Sequence, residues 1–553
     1  MASINNSRLL FFVTSPRSPI KIIEELNLLK DFEGKKWDKE AQEAYAEKLT
    51  DEIETFKPKK EHISFTARDR VNRAPKSLGF VDLSPVVSIT DAGKEFLGNN
   101  REEIFLRQLL KFQLPSPYHK DKDNSFNVKP FLEIIRLIYD LGGLSKTELQ
   151  IFGLQIISYT QYDSVRKKLI EFRKNRINMT GGRKEYVRLV TISEFREIYS
   201  DELKTKKFRI RENLEESETK FIQTKINNAK DYADACFRYL LLTGLFVFDF
   251  KKRLLVSKQE RKAEIEFILS TIPREATMFY NEKDFKSYLF NASEPQLFWD
   301  IESNVKAELK RLDYDIKSTQ TLPVLKNKLN EIKAKNYKDR ITTELNVIAE
   351  EKGVGEILDI YKGLEENSAD IVDPNLFLEW NTWRAFVLLD DGKIDGNFIR
   401  DVDGYPISTA PGKNPDISCD YDDFGLIVEV TRSTGAKQFE MEGEPVPRHL
   451  GRAREKSKKP VYGIFIPITL NQSTLAYFYM LMRQNIPYYG GKAEIIPIQL
   501  DNFVSILVKA KGKIKSDNLK KFVETLIKYG KECESPEVWE SKIKEACKIG
   551  IEV

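Results

Sequence analysis

A chain of 553 residues exceeds what one hydrophobic core organises, and at roughly 100–200 residues per domain it divides into three or four. Hydrophobic residues make up 41% and charged residues 31%, with no apolar run long enough to cross a bilayer, so a membrane span is excluded and a soluble multidomain protein is expected. The net charge is only +4, yet 89 Lys and Arg against 85 acids leave room for strongly basic faces, so overall charge does not decide whether nucleic acid binds.

The chain opens on an apolar run, residues 9–13, followed by the stiff Ser15-Pro16-Arg17-Ser18-Pro19. It has neither a basic leader nor a small-residue cleavage site and reads as a first strand or helix. Residues 1–140 alternate short helices with loops and carry a basic cluster over 66–73 that is suited to line DNA. Residues 78–82 and 87–90 form two short strands around Ser84-Pro85, and Asp91 then opens a helix. This order of helices and a small hairpin resembles a winged helix.

In 142–149, Ser145 is an N-cap with Glu148 three residues later, a capping box that starts a helix. A helix over 229–242 ends at Thr243-Gly244 and is followed by strand-like 245–248 and 253–256. Residues 141–275 therefore read as a second winged-helix-like unit, with Arg166, Lys167, Lys168, Arg173 and Lys174 on exposed helices. Residues 276–370 are charged and helical, with Val305, Leu309 and Leu312, then Leu325, Leu329 and Ile332, each giving one apolar stripe: a helical linker or a solvated lobe of a neighbouring domain.

Residues 371–553 change character. Asp373-Pro374 is an N-cap with proline at the first helical position, and β-rich stretches at 417–421, 426–431 and 461–468 suggest a sheet flanked by helices, an α/β domain. Cys236, Cys419, Cys533 and Cys547 are scattered, and only His62, His119 and His449 exist, so no zinc site is expected and a reduced, intracellular chain fits.

The chemistry concentrates in this last third. The turn residues Asp422-Asp423-Phe424-Gly425 fold 415–417 and 426–431 into a hairpin, setting Asp416 and Glu429 on adjacent strands, with Glu429 and Thr431 facing one way. An acid among Leu, Ile and Val is costly unless it is paired or binds a metal, and a hard cation such as Mg²⁺ takes carboxylate oxygens together with water and phosphate. That set can activate water for phosphodiester hydrolysis. The competing reading makes Asp416 a turn cap and Glu429 an exposed edge acid. Glu379 shares a helical face with Leu376 and Trp383 and points into the domain. Residues 438–449 place Glu442, Arg448 and His449 around a helix that ends before Pro445, where Glu442 could reach a metal through water and His449 could orient phosphate or shuttle protons. From Arg448 to Lys459, Arg448, Arg452, Arg454, Lys456, Lys458 and Lys459 offer a basic ridge for phosphates. Two rival functions stand beside this one: a sequence-specific DNA-binding protein with an inactive nuclease-like domain, and a sugar hydrolase using paired carboxylates.

A series of short matches in one order carries a resemblance: Ser15-Pro16-Arg17-Ser18-Pro19, Asp31-Phe32-Glu33-Gly34, Thr66-Ala67-Arg68-Asp69-Arg70-Val71, Gly79-Phe80-Val81, Gly142-Gly143-Leu144-Ser145-Lys146, Thr243-Gly244-Leu245-Phe246-Val247, Glu379-Trp380, Pro415-Asp416, Glu429-Val430-Thr431 and Glu442-Gly443-Glu444-Pro445-Val446. On these the chain resembles the AlwI-like and FokI-like type IIS restriction endonucleases and the related strand-specific nicking endonucleases, of the PD-(D/E)xK superfamily. The resemblance implies winged-helix-like recognition units over 1–140 and 141–275 that read a short asymmetric site in double-stranded DNA, a helical linker over 276–370, and an α/β cleavage domain over 371–553 acting a few base pairs away. It implies Asp416, Glu429 and Glu379 as metal-binding acids, with Mg²⁺ as cofactor and Mn²⁺ as its substitute, and Glu442 and His449 as supporting catalytic residues. Where the superfamily places a lysine, two positions after the second acid, this chain has Thr431, leaving Lys437 or Gln438 as the replacement. Arg68, Arg70, Arg73, Lys76, Arg448 and Arg452 are the expected DNA contacts. A double-strand break needs a second copy or a smaller nuclease subunit, whereas one chain alone nicks one strand. A bacterial cytoplasmic setting, away from membranes, is also implied.

Overall fold

The structure, a computed structural model, describes residues 7–52, 63–119, 125–209, 217–348, 352–366, 368–390, 392–510 and 513–551, so His62 lies outside it. The chain forms two compact units. The first comprises 1–332 with 369–372, and the second 333–368 with 373–553. The expected segments 1–140 and 141–275 fall in the first unit, 276–370 is shared between both, and 371–553 falls in the second apart from residues 371–372.

In the first unit, residues 9–13 form neither strand nor helix, against expectation. Leu9, Leu10 and Phe12 are buried as separate anchors, and the Leu10 N–H donates to Leu154 O at 2.7 Å. Packing takes up this run, so no neighbouring strand is needed to satisfy it. Strands β1 (Val81–Asp82) and β2 (Ser88–Ile89) pair antiparallel, and the helix Asp91–Phe96 follows, its N-cap Thr90 accepting from Gly93 N–H. The capping box of Ser145 and Glu148 starts the helix Lys146–Ile151. The helix Glu218–Leu242 leads into an antiparallel hairpin of β3 (Phe246–Asp249) and β4 (Leu254–Ser257), with Leu144 bridging Leu255 on the far side of β4.

Arg173, expected on an exposed helix face, is turned inward on the helix Tyr162–Ile177. Its guanidinium grips both oxygens of Glu148, at 2.7 and 2.8 Å, and donates to Leu141 O and Gly143 O. It thereby ties that helix to the capped turn, and the carboxylate it serves is 4% exposed. Arg173→Ala should cost about 2 kcal/mol in urea unfolding, because it strands a buried carboxylate and two carbonyls. The two apolar stripes of 276–370 pack on one another: Val305 and Leu309 of the helix Glu302–Arg311 meet Leu325 and Leu329 of the helix Leu322–Ile348, with Leu312 and Ile332 at the edge.

The second unit is built on a mixed five-stranded sheet. Its strands are β5 (Lys393–Gly396), β8 (Ile417–Asp420), β9 (Gly425–Thr431), β10 (Val461–Pro467) and β11 (Ile495–Pro497); β6 (Ile399–Arg400) and β7 (Pro406–Ser408) form a separate hairpin. In the sheet order β11-β10-β9-β8-β5, the pairs β5–β8 and β8–β9 are antiparallel, whereas β9–β10 and β10–β11 are parallel. The apolar run of β9 is buried almost throughout, as a central strand covered by helices requires. The helix Pro374–Leu389, with Asp373 as N-cap, packs on β5 and β9. Beyond β9 the helix Ala436–Glu442 stops before Pro445, and a second helix, Pro445–Lys456, starts there, since proline suits a first turn and disrupts a helix interior. Arg448 and His449 belong to that second helix, which packs on β9 and β10. The four cysteines are unpaired by disulfides. No described helix is long and apolar enough to cross a membrane.

Candidate active site

The β8–β9 register pairs Ile417 with Val428, and one step further along the hairpin sets Asp416 against Glu429. The Val430 N–H donates to Asp416 Oδ2 at 2.8 Å, fixing the first carboxylate to the backbone beside the second. Residues directly opposed across antiparallel strands share a sheet face, so both acids project to the same side. Thr431, two residues after Glu429, shares that side and donates its hydroxyl to Glu442 Oε1 at 2.6 Å. His449 Nδ1 lies 2.6 Å from Glu429 Oε1. Glu379 reaches in from the helix Pro374–Leu389 and accepts from the Ala410 N–H at 2.9 Å. All five residues expected from the sequence thus converge: Glu429 from β9, Asp416 from the residue that leads into β8, and Glu379, Glu442 and His449 from three helices.

Electrostatics mark the arrangement as strained. Burial pushes the Asp416 carboxyl well above the usual range, and Glu429 and Glu442 push it further, against the Val430 N–H and His449. Burial likewise raises Glu379 far above its ordinary value, with Asp416, Asp373 and Glu429 adding repulsion and the Ala410 N–H opposing. Glu442 is also raised, again chiefly by burial, despite the Thr431 hydroxyl and His449. Such a set favours either shared protons or a cation.

His449 adds a proton count. Its Nε2 lies 3.1 Å from Gly412 O and its Nδ1 faces a carboxylate. A carbonyl can only accept, so Nε2 carries hydrogen. The Nδ1 contact then needs one more proton, held either on the ring or on Glu429.

Two positions were not legible in the sequence. Asn397 donates its N–H to Asp416 O at 2.9 Å, and its side-chain amide to Pro415 O and Ser418 Oγ, holding the entry to β8 in place. Residues 409–415 form a strap bonded to Glu379 at Ala410 and to His449 at Gly412. Both depend on contacts remote in sequence that no periodicity announces.

The basic residues fare differently. Arg448 is nearly buried and bridges Glu444 at 2.9 Å; Arg452 is partly buried. Arg454 spends its guanidinium on Val461 O, Lys492 O and Glu494, and Lys459 pairs with Asp420, so of the expected ridge Lys456 and Lys458 are the exposed members. In the first unit, Arg70 is bound to the buried Glu25, whose carboxyl burial raises to about 7, and Arg73 pairs with Asp69. Arg68 lies exposed over the Phe65 ring, and Lys76 lies over Tyr118. Of the two residues expected to replace a lysine two positions after Glu429, Gln438 is fully buried and spends its amide on Ser433 O, Thr469 O and the Asn471 N–H, while Lys437 is exposed.

The profile of the AlwI restriction endonuclease family matches residues 76–506, which spans the capped helices, the hairpins, the strap and the whole carboxylate cluster. The chain belongs to the AlwI restriction endonuclease family. Membership makes it a restriction endonuclease and removes the sugar hydrolase as a rival. The small subunit of the heterodimeric restriction endonuclease R.BspD6I is 25% identical to this AlwI-family chain, covering 34% of it and 98% of that chain, with a TM-score of 0.30. The BpuJ1 endonuclease binding domain, solved with pyrene- and phenanthrene-modified DNA, is 14% identical, covering 53% of this chain and 100% of that one, with a TM-score of 0.34. Among curated proteins none matches.

As they stand, no three His, Cys, Asp or Glu side chains among the described residues are disposed to grip an ion. Mg²⁺ does not require that, because it binds through one or two carboxylates plus water and substrate phosphate. The donor set fits it: hard oxygens, buried together, at a charge density that a cation relieves.

Proposed function

We propose that this protein is a type IIS-like, Mg²⁺-dependent endonuclease that binds a short asymmetric duplex site and hydrolyses a phosphodiester a few base pairs outside it. The observation that carries the reading is the hydrogen bond from the Val430 N–H to Asp416 Oδ2, which holds one buried carboxylate beside the next although burial and the neighbouring acids disfavour its charge. Asp416, Glu429 and Glu379 would hold Mg²⁺, with Mn²⁺ as its substitute. When bound, the metal supplies a Lewis acid that makes water nucleophilic near neutral pH and offsets charge on the departing 3′-oxygen. The chain's own residues do the rest. Asn397 and the Val430 N–H fix Asp416, the Thr431 hydroxyl orients Glu442, and the His449–Glu429 couple holds one proton that it can exchange beside the reacting phosphate. The two helix-and-hairpin arrangements of the first unit, read as winged helices, are the recognition module, with Arg68, Arg73 and Lys76 as contacts to duplex DNA and Arg70 as a residue that braces them. The single site cuts one strand. A lone chain therefore nicks, and a second copy or a smaller nuclease subunit completes a double-strand break, in the cytoplasm of a bacterium.

Incubating the protein with supercoiled plasmid and Mg²⁺, then sequencing the ends on both strands, should yield nicks at a fixed offset from one short asymmetric sequence, with none in chelator. Binding at that sequence without any cut would instead identify a DNA-binding protein with an inactive cleavage domain.

A further inference from the structure

Residues 369–372 belong to the first unit, although the chain on both sides of them, 333–368 and 373–553, belongs to the second. The chain therefore passes between the units at three points, 332–333, 368–369 and 372–373. Connecting loops ordinarily lie on the surface with their polar groups in water. This one buries Ile371 and Val372 completely and is gripped by donors 223 and 225 positions away. The Thr147 N–H, in the first turn of the capped helix Lys146–Ile151, donates to Asp370 Oδ1 at 3.1 Å, and the Thr147 hydroxyl donates to the same oxygen. The buried Lys146 ammonium donates to Ile371 O at 2.9 Å and to Asp234 Oδ1 at 3.1 Å, and Arg238 fixes Asp234 in turn at 2.8 Å. Every group of this clip lies in the first unit. The helices that the loop connects, Lys352–Glu366 and Pro374–Leu389, are bonded to each other: the Tyr361 hydroxyl donates to Thr382 Oγ1 at 3.0 Å, and the Asn381 amide donates to Ile357 O at 3.0 Å. A grip on the loop is thus a grip on a helix pair, one member of which carries Glu379.

We propose, on the reading of the second unit as a cleavage domain acting at a fixed offset from a recognised sequence, that the clip of Lys146, Thr147 and Asp370 sets which phosphodiester is cut. Two bodies joined at one covalent point swivel about it, and each further attachment removes some of that freedom. Undoing the clip leaves 332–333 as the held crossing and releases the four residues 369–372. At about 3.5 Å each, they lengthen the tether by about 14 Å. That length corresponds to about four nucleotides, at about 3.4 Å apiece along one strand. Asp370 and Thr147 are positioning residues, acting on the cut through the helix that bears Glu379.

The test maps the ends left on supercoiled plasmid with Mg²⁺ by the parent, Asp370→Ala, Asp370→Asn and Thr147→Val. Binding in Ca²⁺ to a duplex carrying the sequence that the parent marks, and thermal unfolding, are measured alongside. The parent should cut at one offset. Asp370→Ala should spread its cuts over about four neighbouring phosphodiesters. It should bind the same sequence with unchanged affinity and unfold at most a few degrees lower. Asp370→Asn, whose amide oxygen still accepts from both Thr147 donors, should restore the single offset. Thr147→Val, which keeps the N–H and loses the hydroxyl, should fall between the two. A single parental offset in Asp370→Ala would overturn the role of the clip and leave the cleavage reading standing. Scattered ends from the parent itself would overturn that reading instead. Loss of folding in Asp370→Ala together with a single offset in Thr147→Val would make the clip a packing contact and also reject the proposal.

Discussion

Asp416→Asn should abolish cleavage, by about a thousand-fold or more, while leaving duplex affinity within a few-fold of the parent. The asparagine keeps an oxygen for the Val430 N–H and nearly the same volume, so the hairpin survives. What it loses is the charge on an oxygen that would hold the metal, and a loss of about 4 kcal/mol in transition-state stabilisation corresponds to that factor. Removing a buried charge that Glu429 and Glu442 already oppose should leave the fold unharmed or slightly more stable, which separates a chemical defect from unfolding. Glu429→Gln should behave alike for cleavage, with the added loss of the charged partner of His449 Nδ1. The measurements are single-turnover cleavage, duplex binding in Ca²⁺ and thermal unfolding on the same preparations. Cutting at the parent's rate by either variant would end the assignment of these residues to catalysis.

Much of this site was readable from local rules. Glu429 and Thr431 share a sheet face because strands alternate, and the turn at 422–425 brings Asp416 beside them. The Asp373-Pro374 start sets the phase of the helix that points Glu379 inward. The capping box at Ser145 and the paired stripes of Val305, Leu309, Leu325 and Leu329 were legible for the same reason, since each is a short pattern with one structural solution. Charge was less informative. Arg70, Arg173 and Arg454 look in sequence like solvent-facing cations, but each is spent on a partner distant in the chain. A guanidinium reads the same whether it waits for phosphate or anchors a helix. Asn397 and the strap escaped notice because their roles exist only once β5, β8 and the helix Pro445–Lys456 are assembled. The run at 9–13 misled in the opposite direction: its apolar residues mark burial and not strand pairing.

Magnesium should raise the unfolding midpoint of this protein, and raise it more at pH 8 than at pH 6. The sign follows from the direction in which the carboxyls are displaced. Asp416 and Glu379 start from ordinary values of 3.8 and 4.5, and burial followed by mutual repulsion lifts both well above these in the folded state. A group so displaced binds its proton more tightly when folded. Its contribution to stability is complete below the unfolded value and is lost as pH rises through the folded one. The metal-free protein should therefore lose stability progressively above about pH 4, unlike one whose carboxylates are held by salt bridges. A divalent cation held by these residues should reverse the loss, because it would require the ionised oxygens that burial disfavours. At a hundred times its dissociation constant it adds about 2.7 kcal/mol, roughly 5–10 °C for a unit of 150–250 residues. Protons compete for the same oxygens, so the gain shrinks as pH falls. Asp416→Asn with Glu379→Gln should flatten the pH slope and remove the magnesium effect together, since both arise from one crowding of charge. A magnesium shift that persists in the double variant, or that sodium at matched ionic strength reproduces, would mean that the ion binds elsewhere and that these carboxyls keep their protons.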